Sequence, residues 1–188
     1  MRIKLLPKFI LSLGALGVIL TVTISVFSYL SSKEYLEDMY AQRVVSGSKS
    51  VATMLDREDV RTIISPGGEN SEAYRRVEAM MNRVKKDGNI TYLSLVIPDE
   101  DSVTFYIDTC VQEMGDVPAN QLAYGTDVLY TDAANDEADL WKYNYVWGLY
   151  AENKGTDEPV VTDNSYGYNY TAVCPILDEN GKAIAEIQ

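Results

Sequence analysis

A chain of 188 residues, 46% of them hydrophobic, has material for one ordinary domain and an appendage. Its 28 acidic and 16 basic residues leave a net charge of −12, a surface that repels nucleic acid, so no nucleic-acid partner is expected. The complete lack of histidine excludes Ser–His–Asp and Cys–His catalysis and most zinc sites; neither a cofactor nor a metal is expected.

Residues 9–30 contain no charged side chain. As a helix this run spans about 33 Å, against a hydrocarbon core of about 30 Å. Arg2, Lys4 and Lys8 precede it, which predicts residues 1–8 in the cytoplasm and the rest of the chain outside. The run is longer than the apolar part of a secretory signal, and Tyr29, Leu30, Ser31, Ser32 and Lys33 continue it without a small-x-small cleavage site. It therefore reads as an uncleaved anchor in the cytoplasmic membrane. Of the basic residues three lie in this leader, so the remainder holds 13 against 28 acidic ones, a net charge of −15 that fits the solubility of an exported domain.

The helix is predicted to continue over 31–57. Leu36, Tyr40, Val44, Gly47, Val51 and Leu55 fall on one face at spacings of three and four. Together with "LDREDVRTIIS" (55–65), a short helix with Asp56 as N-cap, this makes a membrane-proximal stalk over 31–64. Close to the membrane Leu36, Tyr40 and Val44 are expected to meet a second copy, which makes the protein a homodimer. "SPGGENS" is a loop, and Ser71 opens a third helix whose apolar face is Tyr74, Val77, Met81 and Val84, ending in Lys85, Lys86 and a Gly88 stop.

After Gly88 the period changes to two. "ITYLSLVIP" (90–98) and "SVTFYIDTCV" (102–111) predict a hairpin around Asp99–Asp101. Residues 115–127 are loop-like, "DAANDEADLW" (132–141) favours a short helix, "NYVWGLYAE" (144–152) reads as a strand, and "NKGTDEP" as a turn. "YGYNYTAVCPI" and "KAIAEI" then form a closing hairpin around Asp178-Glu179-Asn180-Gly181. Helices followed by antiparallel hairpins predict an α+β domain over 65–188 with one central antiparallel sheet.

The segments "VATMLDREDVRTII", "SEAYRRVEAMMNRVKKDGNITYLSLV", "FYIDT" and above all "SYGYNYTAVCPILDENGKAIAEI" resemble the extracytoplasmic Cache sensor domains of bacterial membrane receptors. The last is the most specific, an aromatic strand ending in Pro-Ile and an Asp-x-x-Gly-Lys turn. The resemblance covers most of 33–188. It implies a PAS-like single Cache domain that senses a small molecule, as in chemotaxis and other signal transduction, without being an enzyme itself. It also implies a second membrane helix and an intracellular output module after the last strand, so the chain is expected to be the N-terminal portion of a longer receptor. In such folds the ligand lies between one face of the sheet and the loops crossing it.

Tyr166, Tyr168 and Tyr170 alternate and should share one face of their strand, with Trp141, Tyr145 and Trp147 in the preceding region. Such rings could hold an amine by cation–π contact, or could simply be sheet core with their hydroxyls at the rim. On the second strand Thr104, Tyr106 and Asp108 are expected on one face, and Asp163 follows "PVVT". Asp108 and Asp163 are the candidates for pairing with the ammonium of an amino-acid-like or amine ligand, because an inward carboxylate must be paired or bind a cation. "DAANDEAD" lacks calcium-loop spacing, and a hairpin turn accounts for "DENG". Cys110 and Cys174 stand in strand-like runs; they could form a disulfide if their Cα atoms lie within about 7 Å, or remain buried thiols. The competing readings are a structural or dimerisation domain without ligand, and an anchored exoenzyme, for which no residue spacing singles out a catalytic pair.

Overall fold

The computed structural model describes residues 5–109, 122–134, 139–164 and 167–188, and all side chains within them except those of residues 5, 6, 162–164, 167 and 168. Cys110 and Tyr166, and most of the predicted 115–127 loop, lie outside the described residues. The chain divides into two compact units, Met1–Tyr40 and Ala41–Gln188.

The first unit is helical. Helix α1 (Leu5–Met54) begins in it and carries a stretch long and apolar enough to cross a bilayer, none of it buried. Ser12, Thr21 and Thr23 each donate their hydroxyl to a carbonyl four residues earlier, at 2.8–2.9 Å. That satisfies the polar groups within the helix, as an apolar solvent requires.

In the second unit the end of α1 buries Val45, Ser48, Val51 and Ala52, and Leu55 follows. Residues 41–64 are thus part of the same compact unit as the sheet. Helix α2 (Arg57–Ile64) starts where Asp56 accepts from the Glu58 and Asp59 amides at 2.9 and 3.3 Å. Asp56→Ala should lower stability by about 0.5–2 kcal/mol, the range for a lost N-cap, and Asp56→Asn should restore most of it in denaturant titrations. Helix α3 (Glu72–Gly88) starts with the Tyr74 amide donating to Ser71 Oγ at 3.0 Å. It runs through Gly88 and stops at Asn89, whose φ of 48° is left-handed.

Strands β1 (Leu93–Pro98), β2 (Ser102–Thr109), β3 (Thr126–Leu129), β6 (Cys174–Leu177) and β7 (Ala183–Ile187) form one antiparallel sheet in the order β3-β2-β1-β7-β6. The predicted α+β class and antiparallel central sheet are therefore present. β1 and β7 pair at the centre, and Ser94 and Gln188 exchange backbone hydrogen bonds of 2.8 and 3.0 Å. One face packs on the helices through Val51, Val60, Ile63, Val77, Met81, Leu95, Ile107, Ala185 and Ile187. The other carries Val96, Val103 and Tyr130, with Phe105, Leu140, Tyr143 and Trp147 against them.

Two sequence expectations are corrected. Residues 144–152 are not a strand: Leu140–Ala151 is helix α5, preceded by the short helix α4 (Tyr130–Ala133). Aromatic residues favour strands, but Leu140, Tyr143, Trp147 and Tyr150 recur at intervals of three, four and three, which is helical spacing. Nor is 166–176 one strand of the closing hairpin. β5 (Gly167–Thr171) pairs with β4 (Val160–Asn164) as a separate two-stranded ribbon, and only β6 pairs with β7. The break falls at Ala172 and Val173, both buried. There the wholly buried Thr156 donates its amide to Val173 O at 2.9 Å and accepts the Val173 amide on Oγ1 at 3.0 Å. Gly155 permits this approach, since a Cβ there would stand 2.8 Å from Val173 O.

The closing turn is as read. Asp178 Oδ1 accepts the Asn180 and Lys182 amides, both at 2.8 Å, and Gly181 takes φ 78°. The Lys182 amide, with that of Asn180 and the Arg61 charge, holds the Asp178 carboxyl below its usual range. Arg61 reaches from α2 to Glu179 with two bonds of 2.6 and 2.9 Å.

Candidate functional site

The sheet face away from α1–α3 is covered by α4 and α5. Tyr130 lies against it, only 4% exposed, and stacks on Tyr143 with ring centroids 5.4 Å apart. Its hydroxyl donates to Asp99 O at 2.9 Å, tying α4 to the β1–β2 turn. Leu140, Tyr143 and Trp147 put one side of α5 on this face. After α5, Asn153 in left-handed conformation (φ 60°) accepts the Ala183 amide on Oδ1 at 2.7 Å, fixing the helix end to the start of β7.

β7 brings Glu186 under this cover. It stands directly opposite Val96 on β1 and Pro175 on β6, so it shares the face of Val96. Glu186 is 0% exposed, and neither carboxylate oxygen has a hydrogen-bond partner among the described residues. Burial pushes its carboxyl well above the usual range. Burial, then the nearby Glu186 charge, also raises the hydroxyls of Tyr130 and Tyr150, the latter to about 12. A buried carboxyl without a partner is costly when ionised, so it binds a proton or a cation.

The sign of the pH dependence follows. Folded Glu186 keeps its proton at pH values where the unfolded chain has lost it. Stability is therefore full below the ordinary carboxylate range and declines as pH rises toward the folded value, by at most about 1.4 kcal/mol per pH unit for one proton. Thermal unfolding from pH 5 to 8 should show this decline, and Glu186→Gln should flatten it. Parallel profiles for the two proteins would contradict it.

The residues singled out from the sequence are dispersed. Trp147 lies on the sheet face of Glu186. Trp141 and Tyr145, 60% and 45% exposed, lie on α5 and line an open groove with Glu158, Pro159, Val160 and Val161. Tyr106 belongs to the helix-facing side: it packs edge-on against Tyr124 at 5.4 Å, and Tyr124 against Tyr74 at 6.1 Å. A bulge causes this, because Leu95 pairs with Ile107 but Val96 with Phe105, leaving Tyr106 as the extra residue. Thr104 and Asp108, paired with Ile97 and Ser94, consequently fall on opposite faces, against the expectation that they share one. Asp108 accepts the Ser94 hydroxyl on one oxygen and the Leu122 amide on the other, both at 2.9 Å. It thereby anchors the chain entering β3. Asp163 is in β4 opposite Tyr168 of β5, and Tyr170 pairs with Val161; the ribbon, not the central sheet, carries them.

Leu36 and Tyr40 are 45% and 48% exposed, while Val44 is half-buried. Cys174 is a free, half-buried thiol, which burial raises. Among the described residues no cluster of three or more acidic or cysteine side chains could hold a metal ion. Sequence reasoning missed Glu186. Its signal was a single acid in an otherwise apolar strand, in a sheet covered on both sides.

Compared with the models of known protein families and with curated proteins, the chain matches none.

Proposed function

We propose that this chain is the small-molecule sensing part of a membrane-anchored bacterial signalling receptor, a PAS-like single Cache domain held outside the cytoplasmic membrane. The observation that carries the reading is Glu186: a polar group without a hydrogen-bond partner among the described residues, on an interior strand of the sheet, under a cover of aromatic side chains. Ligand pockets combine largely apolar walls with a few polar groups of this kind. The sheet order supports the fold assignment, with the first hairpin and the closing hairpin joined through β1 and β7. The unbroken α1 supports the signalling role, since its apolar stretch and the buried residues Val45, Val51 and Ala52 belong to one helix. Binding biases the packing of those residues by no more than the ligand's differential affinity for the two receptor states. Leu36 and Tyr40 meet a second copy in a homodimer, which gives the response a partner helix to act on.

The test is a thermal-shift screen of the full chain in detergent micelles against amino acids, amines and organic acids. At least one class should raise Tm saturably. A chain indifferent to every class would favour a dimerisation domain without ligand.

A further inference from the structure

We infer that Glu186 is a proton–cation exchange site: the empty domain holds a proton there, and a small organic ammonium group takes its place. The inference rests on the sensing role and names the charge of its ligand.

The geometry supplies three steps. First, Glu186 is wholly enclosed, between Val96 of β1 and Pro175 of β6, and its two oxygens have no partner among the described residues. Second, among the described residues no lysine or arginine acts on Glu186; burial alone acts on the carboxyl. Residues 110–121, 135–138 and 165–166 contain no lysine or arginine either. The titratable groups that sense Glu186 are Tyr130 of α4, Tyr150 of α5 and Cys174 of β6, all raised by burial and so neutral near pH 7. Beyond Tyr130 lie Asp99, Asp101 and Asp127, which add negative charge, and Lys49 acts on Cys174. Among the described residues, none supplies a counter-charge for an ionised Glu186.

Third, the surroundings select the kind of cation. A metal ion takes several oxygen ligands, and among the described residues Glu186 is in no acidic or cysteine cluster that could supply them. Tyr130, Tyr143 and Trp147 lie on the same face, and Tyr150 is close enough to feel the carboxylate. Aromatic rings beside one carboxylate suit an ammonium group, which gains cation–π attraction as well as the charge pair. The exchange balances: Glu186–COOH loses its proton to solvent, and the carboxylate receives the protonated amine. Entry requires α5 to shift, and none of its residues is fully buried.

The experiment follows the carboxyl of Glu186 by 13C NMR in the full chain labelled at glutamate, in micelles, with Glu186→Gln to assign the resonance. The probes are propylammonium, propanol and propionate, equal in size and different in charge, with potassium chloride as the inorganic cation. Propylammonium at tens of millimolar should lower the apparent pKa of Glu186 by at least one unit, a tenfold competition, and the other three should leave it unchanged. Calorimetry on the unsubstituted chain in two buffers of different ionisation heat gives a second measure that needs no variant. About one proton should be released per propylammonium bound near neutral pH. If Glu186 titrates with the other glutamates, if propylammonium leaves it unmoved, or if potassium acts equally well, the inference is wrong. If propionate raises Tm while Glu186 stays unperturbed, the sensing role stands and the cation site falls. If no probe and no compound of the screen binds, both fall.

Discussion

Gly68→Ala should remove more than about 3 kcal/mol of stability, beyond the usual range for overpacking a core. Gly68 begins a short 3-10 turn, Gly68–Asn70, and is itself buried. A Cβ built there would lie 2.1 Å from Ile63 O and 2.6 Å from Thr62 O. Both are backbone atoms of the last turn of α2, so no side-chain rotation relieves the clash. The same place holds three other attachments. The Gly68 amide donates to Ser65 O at 2.9 Å, Ser71 Oγ donates to Gly68 O at 2.6 Å, and the Tyr124 hydroxyl lies 2.7 Å from Ile63 O. Moving the end of α2 disturbs the start of α3 and the anchorage of Tyr124 together. Gly67→Ala is the control: φ is 81°, but nothing lies within 4 Å of its Cβ. It should cost only the left-handed strain of about 1–2 kcal/mol. Equal losses in urea titrations of the two variants would mean that the α2 end yields to the new methyl.

Met81→Ala should cost about 2–5 kcal/mol, the range for truncating a fully buried long side chain. Met81 is 0% exposed and sits in the cluster between α2, α3 and the sheet, with Ile63, Val60, Leu95 and Ile107. Its neighbour Met80 is only half-buried, and Met80→Ala should cost markedly less. Met81→Leu keeps the volume and should stay within about 1.5 kcal/mol of the parent. An unchanged midpoint for Met81→Ala in guanidinium would show that the helices close over the void.

How far the sequence could be read depended on whether local chemistry or distant pairing decided the outcome. Asp56 and Ser71 cap their helices as read, because a cap is a contact between residues two or three apart. The Asp178–Gly181 turn was legible for the same reason. The tyrosine-rich strand was not, because its change of partner at Val173 depends on Thr156, 17 residues earlier. Nor was the side on which Tyr106 lies, since the bulge that turns it is a property of the β1–β2 register and not of β2 alone. α5 was misread although its stripe was present: aromatic content was given more weight than spacing. Glu186 shows the limit of alternation. In a sheet covered on both sides, the polar residue of an alternating strand does not face water.

The place of β7 between β1 and β6 also bears on how the domain comes into being on the ribosome. β1 and β2 are synthesised early and can pair at once, yet the free side of β1 must wait for residues 183–187 before it has its neighbour. Until then the backbone edge of β1 and the side chains of Leu95 and Val96 have no cover from the closing hairpin. Such an edge recruits strands from other chains. A pairing between residues 95 and 187 also closes a long loop, and domains rich in such contacts fold slowly. Nascent chains of this protein thus pass through a stage when β1 and β2 are translated but lack Ala185 and Ile187, which complete the hydrophobic centre. They would depend on holdase chaperones until the last strand arrives.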